Sequence, residues 1–488
     1  MSLPPLGPPG RPEPHWQAFE GGLGRQVRVN WRRHVQEPSP EALLALQERS
    51  DRLRLQDVQR VDPRFEKDRR YVLGVLQILL GVMLFGQRIA LPLGGSPIAL
   101  SLIATFVAIG FLALRRGVVT NRARTELYLA ALIVMVVATW TTNLAGNYIS
   151  LTSISLLLIL YLPFVVCVAP QFRVNFVPLC RTYVRFMIGF SILGGLQMVA
   201  QLLLGWKYED YLADVVGLDF LQANFNTENQ ISYTNHTVKA NAFFFLEPSF
   251  LCQFCALGIL IALIIKAPAW QPMVLGLGMA STLSGTGILL LVFGATLIML
   301  RIPNRIRPGV LLAGGLCLVI IFLTPAAGIL LDRRDETSQA GSSGSLRFVQ
   351  PYTEVLKGMQ EDPNYYLNGA GAGAADRLLV SDRFGGEAVV YTIAPKVLFE
   401  YGLIALVAFM SFLFVAVLRG PPVPVLAGAI LFMINFLSGS LLAPHTVLIA
   451  WILTSIWGAP VTFGLTDSLA ARRRATSREA REQQLVRS

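Results

Sequence analysis

The chain has 488 residues, 53% hydrophobic and only 15% charged, with a net charge of +11. A water-soluble protein carries roughly 25% charged residues, so a set of solvent-covered domains is excluded. The positive excess does not point to nucleic acid, because in a chain built of apolar runs it first reports which loops stay in the cytoplasm.

Residues 1–70 are rich in proline, glycine and arginine and read as a cytoplasmic N-terminal extension. Within it, Ser39 can cap a helix and Pro40 suits the first helical position, so a helix is expected over 39–61. From residue 71 onward, apolar runs of about 17–23 residues recur, the length that crosses about 30 Å of hydrocarbon. Helices are expected near 71–87, 97–114, 127–146, 149–169, 183–204, 249–266, 271–283, 285–300, 308–324, 396–417, 423–440 and 444–463. The pair at 271–283 and 285–300 is short and is broken only by STLSGTG at 281–287. Residues 464–488 form a basic cytoplasmic tail. The expected fold is all-α: a polytopic membrane protein with about twelve transmembrane helices.

Charge sets the orientation. With a cytoplasmic N-terminus and twelve crossings, 31 of the 41 Lys and Arg residues fall on the cytoplasmic side, and every short loop obeys the positive-inside bias. Removing one crossing would reverse every later loop. Both termini are therefore expected in the cytoplasm. Two long loops, 205–248 and 325–394, then fall on the outer face. The spans hold almost no ionisable residue at mid-depth, where ion-coupled transporters usually need one. The unusual chemistry sits instead at the outer ends of helices.

Three groups there are candidates. In FFFLEPSFLCQF (243–254), Pro248 suits the first turn of a helix and Glu247 lies at the positive end of its dipole. Glu247 is either a capping carboxylate or one held at the surface to orient or deprotonate a sugar hydroxyl. The long loop carries Arg333, Arg334, Arg347, Arg377 and Arg383, with the glycine–alanine run NGAGAGAADR (368–377). Guanidinium forks suit a diphosphate, and Gly371 and Gly373 permit close backbone approach to a ligand. His236, with Lys239 nearby, precedes Glu247, and His445 opens the final span; a single histidine so placed is more often an interfacial anchor than a site residue. Cys252 and Cys255 form a C-x-x-C with no second pair, which reads as packing. No cluster of His, Cys and carboxylates at metal-ligand spacing occurs, so neither a metal nor a cofactor is expected.

Four segments together resemble bacterial O-antigen and exopolysaccharide repeat-unit polymerases of the Wzy type, and more distantly the O-antigen ligases. They are L-E-P-S-F (246–250), L-S-G-T-G (283–287), the S-G-S-L-R to G-A-G-A-G loop (343–373) and F-E-Y-G-L-I-A-L (399–406). The resemblance covers roughly residues 71–463. It implies glycosyl transfer at the outer leaflet of the bacterial inner membrane. A glycan on undecaprenyl diphosphate moves to the non-reducing end of a lipid-linked repeat unit. On this likeness Arg347 is the first choice for the diphosphate clamp, Arg383 and Arg377 are the second, and Glu247 is the acceptor-side carboxylate. Donor and acceptor lipids are the partners; the N-terminal helix reads first as a solvated helix, with docking of a chain-length co-polymerase or of anionic lipid as the alternatives. The sequence also departs from the pattern. Ligases tend to carry a histidine before the E-x-G helix, where this chain reads VVYTIAPKVLFE (389–400), and Gly285 stands where relatives often place an arginine. A ligase-type transferase and a non-enzymatic glycolipid flippase are the alternatives. A flippase should show a repeat between halves and a polar mid-membrane cavity, and neither is visible in the sequence.

Overall fold

A computed structural model describes residues 66–93, 96–222, 225, 227–232, 235–301, 349–379, 391–437 and 441–458. All lie in the compact unit Val61–Ser488. The helix expected over 39–61, the span near 308–324, the basic tail, and Arg333, Arg334, Arg347 and Arg383 fall outside the described residues.

The described chain is mostly helical, and a helix overlaps each of eleven expected spans, although those within 149–169, 423–440 and 444–463 have only 11, 9 and 10 residues. In order these are α1 (Glu66–Phe85), α2 (Leu100–Leu114), α3 (Arg122–Leu144), α4 (Leu151–Tyr161) and α5 (Phe176–Leu204). A short α6 (Tyr211–Val216) follows, then α7 (Pro248–Ile264), α8 (Trp270–Ser281) and α9 (Thr286–Arg301). Three short helices lie inside the expected long loop: α10 (Gln350–Glu361), α11 (Tyr365–Asn368) and α12 (Ala374–Leu378). Last come α13 (Ile393–Leu418), α14 (Pro424–Phe432), which runs into a π turn at Met433–Leu437, and α15 (Pro444–Leu453). Three stretches are long and apolar enough to cross a membrane: Arg122–Leu144, Pro170–Leu204 and Ile393–Leu418. That is the composition of an all-α membrane protein. The described strands form three two-stranded antiparallel pairs, at 90–93 with 96–99, 118–120 with 166–168, and 230–232 with 235–238.

The helix ends follow local chemistry. Asn121 caps α3 by accepting from Arg124 N, and Ser150 caps α4 by accepting from Ser153 N. Pro248, Pro424 and Pro444 each open a helix, where the missing N–H costs nothing. Between helices, small residues permit close approach, as in other membrane bundles. Gly278 lies against Ser191, Gly287 against the Cys252 carbonyl, and Gly294 against Leu260, so α8 and α9 pack tightly on α5 and α7. α7 is buried along its whole length at the centre of this group.

Ends that the charge count assigns to one side are joined in space. On the side expected to be cytoplasmic, Asn175 donates to Arg69 O (3.1 Å), Ala169 N to Gly117 O (2.8 Å) and Arg124 to Ser455 O (2.6 Å). Arg173 likewise donates to Trp457 O (3.0 Å). On the opposite side, Arg88 pairs with Asp210, Ser150 N donates to Ala372 O (2.9 Å) and Ala240 N to Ser281 O (3.3 Å).

Candidate functional site

The first cluster forms around the start of α7. The chain approaches it through Ala242 and Phe243, both with positive φ (49° and 64°). That conformation is rare for residues with a side chain, above all bulky ones. Two buried amides hold it. Gln197 Oε1 of α5 accepts from Asn241 N (3.1 Å) and Ala242 N (3.0 Å), and Asn241 Oδ1 accepts from Phe243 N (3.0 Å). One turn further along α5, Gln201 brackets Val238, accepting from its N–H (2.8 Å) and donating to its carbonyl (3.0 Å).

This strained approach delivers Glu247 in extended conformation immediately before Pro248. Its side chain does not cap the helix; Oε2 instead accepts from the Ser249 hydroxyl at 2.9 Å. The L-S-G-T-G turn packs directly beside it. Thr286 Oγ1 donates to Ser249 O (3.3 Å), and Cys252 Sγ to Ser284 O (3.1 Å). Cys252 and Cys255 are buried free thiols, as a packing role requires.

His445 joins the same cluster from α15. Its ring stands edge-on to Phe250 (4.4 Å between centroids) and to Phe225 of the 205–248 loop (5.6 Å). It is fully buried, and neither ring nitrogen has a hydrogen-bond partner among the described residues. Glu247 and His445 thus start two helices that meet through Phe250. Lys239 lies in the same loop, with its N–H on Asn229 O (2.8 Å). His236 is in the strand Asn235–Val238.

The loop is anchored by an ion pair that was not anticipated. Arg88 Nη1 donates to Asp210 Oδ1 (2.8 Å) and Phe243 O (3.0 Å), with a second fork contact to Oδ2. Burial pushes the Asp210 carboxyl up, but the hydrogen bonds and charge of Arg88 outweigh it and hold the group below its ordinary 3.8. Burial also raises the phenol of neighbouring Tyr208, which accepts from Asn241 Nδ2 (3.1 Å).

The second cluster unites the two remaining motifs. Helix α13 is broken at Gly402, whose φ of 80° and ψ of 178° are not helical. The glycine–alanine run docks on the turn before this break. Ala370 N donates to Phe399 O (2.7 Å), and Gly371 N to Glu400 O (3.0 Å). A Cβ on Gly369 would meet Tyr401 N at 2.5 Å, and one on Gly373 would meet Ser150 Cβ at 2.8 Å. Gly371 and Gly373 therefore spend their close approach on α3, α4 and α13 of their own chain. Arg377 folds back to donate to Tyr148 O (2.6 Å) and Gly373 O (3.2 Å), with its guanidinium 4.5 Å above the Tyr148 ring.

At the heart of this cluster is a charge group that sequence reasoning missed. Lys396, almost fully buried, places Nζ 2.6 Å from Asp376 and 3.8 Å from Glu400. Glu400 is completely buried. The N–H groups of Gly373 and Ala375 and the Tyr401 hydroxyl face its carboxylate. The signal was available: Lys396 and Glu400 stand four apart on one helix face. Among the described residues no group of three or more His, Cys, Asp or Glu side chains could hold a metal ion. Compared with known proteins, the chain matches no family model, no curated protein and no solved structure.

Proposed function

We propose that the protein is a repeat-unit polysaccharide polymerase, with twelve crossings, both termini in the cytoplasm, and its site on the periplasmic face of a bacterial inner membrane. One observation carries this reading. Segments that resemble the Wzy type meet in two pairs: L-E-P-S-F with L-S-G-T-G, 37 residues apart at their contact, and G-A-G-A-G with F-E-Y-G. The same-side contacts between loop ends support the sorting of those ends into two sides on which the charge count rests.

In the proposed reaction an acceptor hydroxyl attacks the anomeric carbon of the donor glycan. A new glycosidic C–O bond forms as the anomeric C–O bond to the diphosphate breaks, and the electron pair leaves on undecaprenyl diphosphate. Glu247 takes the hydroxyl proton, and the hydroxyl of Ser249 steadies its carboxylate. His445, buried against Phe250, positions the start of the helix that follows Glu247. Guanidinium groups of the long loop, Arg347 first, neutralise the charge that develops on the leaving diphosphate. The leaving group is already activated, so no nucleotide sugar is required.

Deletion of the gene tests the reading. Cells should then carry single capped repeat units. Long unattached polymer on carrier lipid would instead identify a ligase, and unchanged glycans would refute both.

A further inference from the structure

The corner between α3 and α4 and the loop carrying α11 and α12 pack on each other through uncharged chain. No Asp, Glu, Lys or Arg occurs between Glu126 and Arg173, or between Asp362 and Asp376. Large apolar side chains nevertheless stand open at this seam. Leu144 is 71% exposed, Leu151 67%, Leu367 61% and Leu378 56%. A contiguous patch of this kind on a water-facing loop would mark a binding surface.

The patch adjoins two helices that are long and apolar enough to cross a membrane. On α3 it meets exposed Ile133, Val137 and Trp140, and on α13 exposed Leu403, Ile404 and Val407. The Leu367 carbonyl lies directly against Gly402, so the loop packs on α13 beside its exposed face. At its edge the patch ends in Tyr148, 69% exposed, with Arg377 stacked on its ring. The neighbouring charge of Asp376 is taken up by Lys396. Arg377 has no carboxylate partner among the described residues. Aromatic rings beside a long cationic side chain are the usual anchors at a bilayer's polar boundary.

We propose that this seam is seated in the interfacial zone of the bilayer, with Leu144, Leu151, Leu367 and Leu378 among lipid chains and Arg377 on phospholipid phosphates. Adjacency to the apolar flanks of α3 and α13 selects a lipid leaflet as the occupant. The inference stands on placement alone; it takes Arg377 out of the diphosphate clamp and leaves Arg347 and Arg383 for that role.

The test uses the full-length protein in phosphatidylethanolamine–phosphatidylglycerol nanodiscs. Nitroxide labels are attached to the Leu367→Cys and Leu378→Cys variants, with wild-type protein carried through the same labelling as background. A label at Leu144→Cys replaces either variant that does not purify as a single species. Power saturation should show oxygen reaching both labels more readily than a water-soluble nickel chelate. Greater nickel access at either position would overturn the placement, and so would labels that neither reagent reaches, because protein would then cover the patch. Arg377→Gln should lower the phospholipid phosphate retained per protein after delipidation. Unchanged retention would remove Arg377 from the lipid contact.

Discussion

The break at Gly402 is the feature whose removal the structure prices most clearly. At φ 80° and ψ 178°, Gly402 occupies a region essentially closed to residues with a Cβ, at about 1–3 kcal/mol for a substitution. A Cβ there would also press on the Leu367 carbonyl and lie 3.0 Å from Asn368 N, both backbone atoms that cannot rotate away. Relief requires the glycine–alanine run to lift off Phe399 and Glu400, breaking the hydrogen bonds from Ala370 and Gly371. Each is worth about 1 kcal/mol. Gly402→Ala should therefore destabilise the protein by about 3–5 kcal/mol. The comparison is Gly110→Ala on the exposed face of α2, where nothing lies within 4 Å of the new Cβ. That change should be neutral or stabilising by up to about 1 kcal/mol, because alanine suits a helix interior better. Both are read from the SDS unfolding midpoint in mixed micelles. Equal midpoints for the two variants would refute the docking of the loop on the helix break.

Lys396→Met leaves the Glu400 carboxylate buried without a cation and should cost about 3 kcal/mol by the same assay; adding Glu400→Gln should recover most of it, and no recovery would mean that the pair is not coupled. The Asp210 carboxyl is depressed in the folded state, so its ion pair stabilises fully above the ordinary value of 3.8 and is lost as pH falls through the lower folded value. Acid unfolding should accordingly be flatter in Asp210→Asn than in wild type, and parallel curves would contradict the pairing with Arg88. Glu247→Gln should reduce polymer formation far more than protein abundance, and equal losses would make Glu247 a structural residue. Arg347→Ala should abolish polymer while membrane insertion persists; Arg347→Lys should fail too, because an ammonium cannot make the bidentate contact.

Much of the helical framework was legible because its signals are local. Apolar run length, the caps at Asn121 and Ser150, and the prolines at 248, 424 and 444 each act within a few residues. The long loop was harder to read. Pro351, Val355 and Met359 lie on one face of α10 and are buried, but their helical spacing sits among glycine- and serine-rich chain that reads as a loop. Contacts between distant segments left no local trace. Arg88 and Asp210 are 122 residues apart, and the Lys396 pairing with Asp376 exists only because the glycine–alanine run has docked. The glycines were read as making room for a ligand, whereas the described space beside Gly369 and Gly373 is filled by the chain's own backbone and Ser150. Glu247 and His445 were each visible alone, and their meeting through Phe250 required the fold.

The most direct test of the proposed activity uses the purified protein in lipid vesicles and lipid-linked repeat units extracted from the deletion strain. Products should form a ladder of repeat multiples, with one undecaprenyl diphosphate released for each bond made and no nucleotide sugar added. Intact single repeats with no released carrier, in the presence of folded protein, would contradict the account.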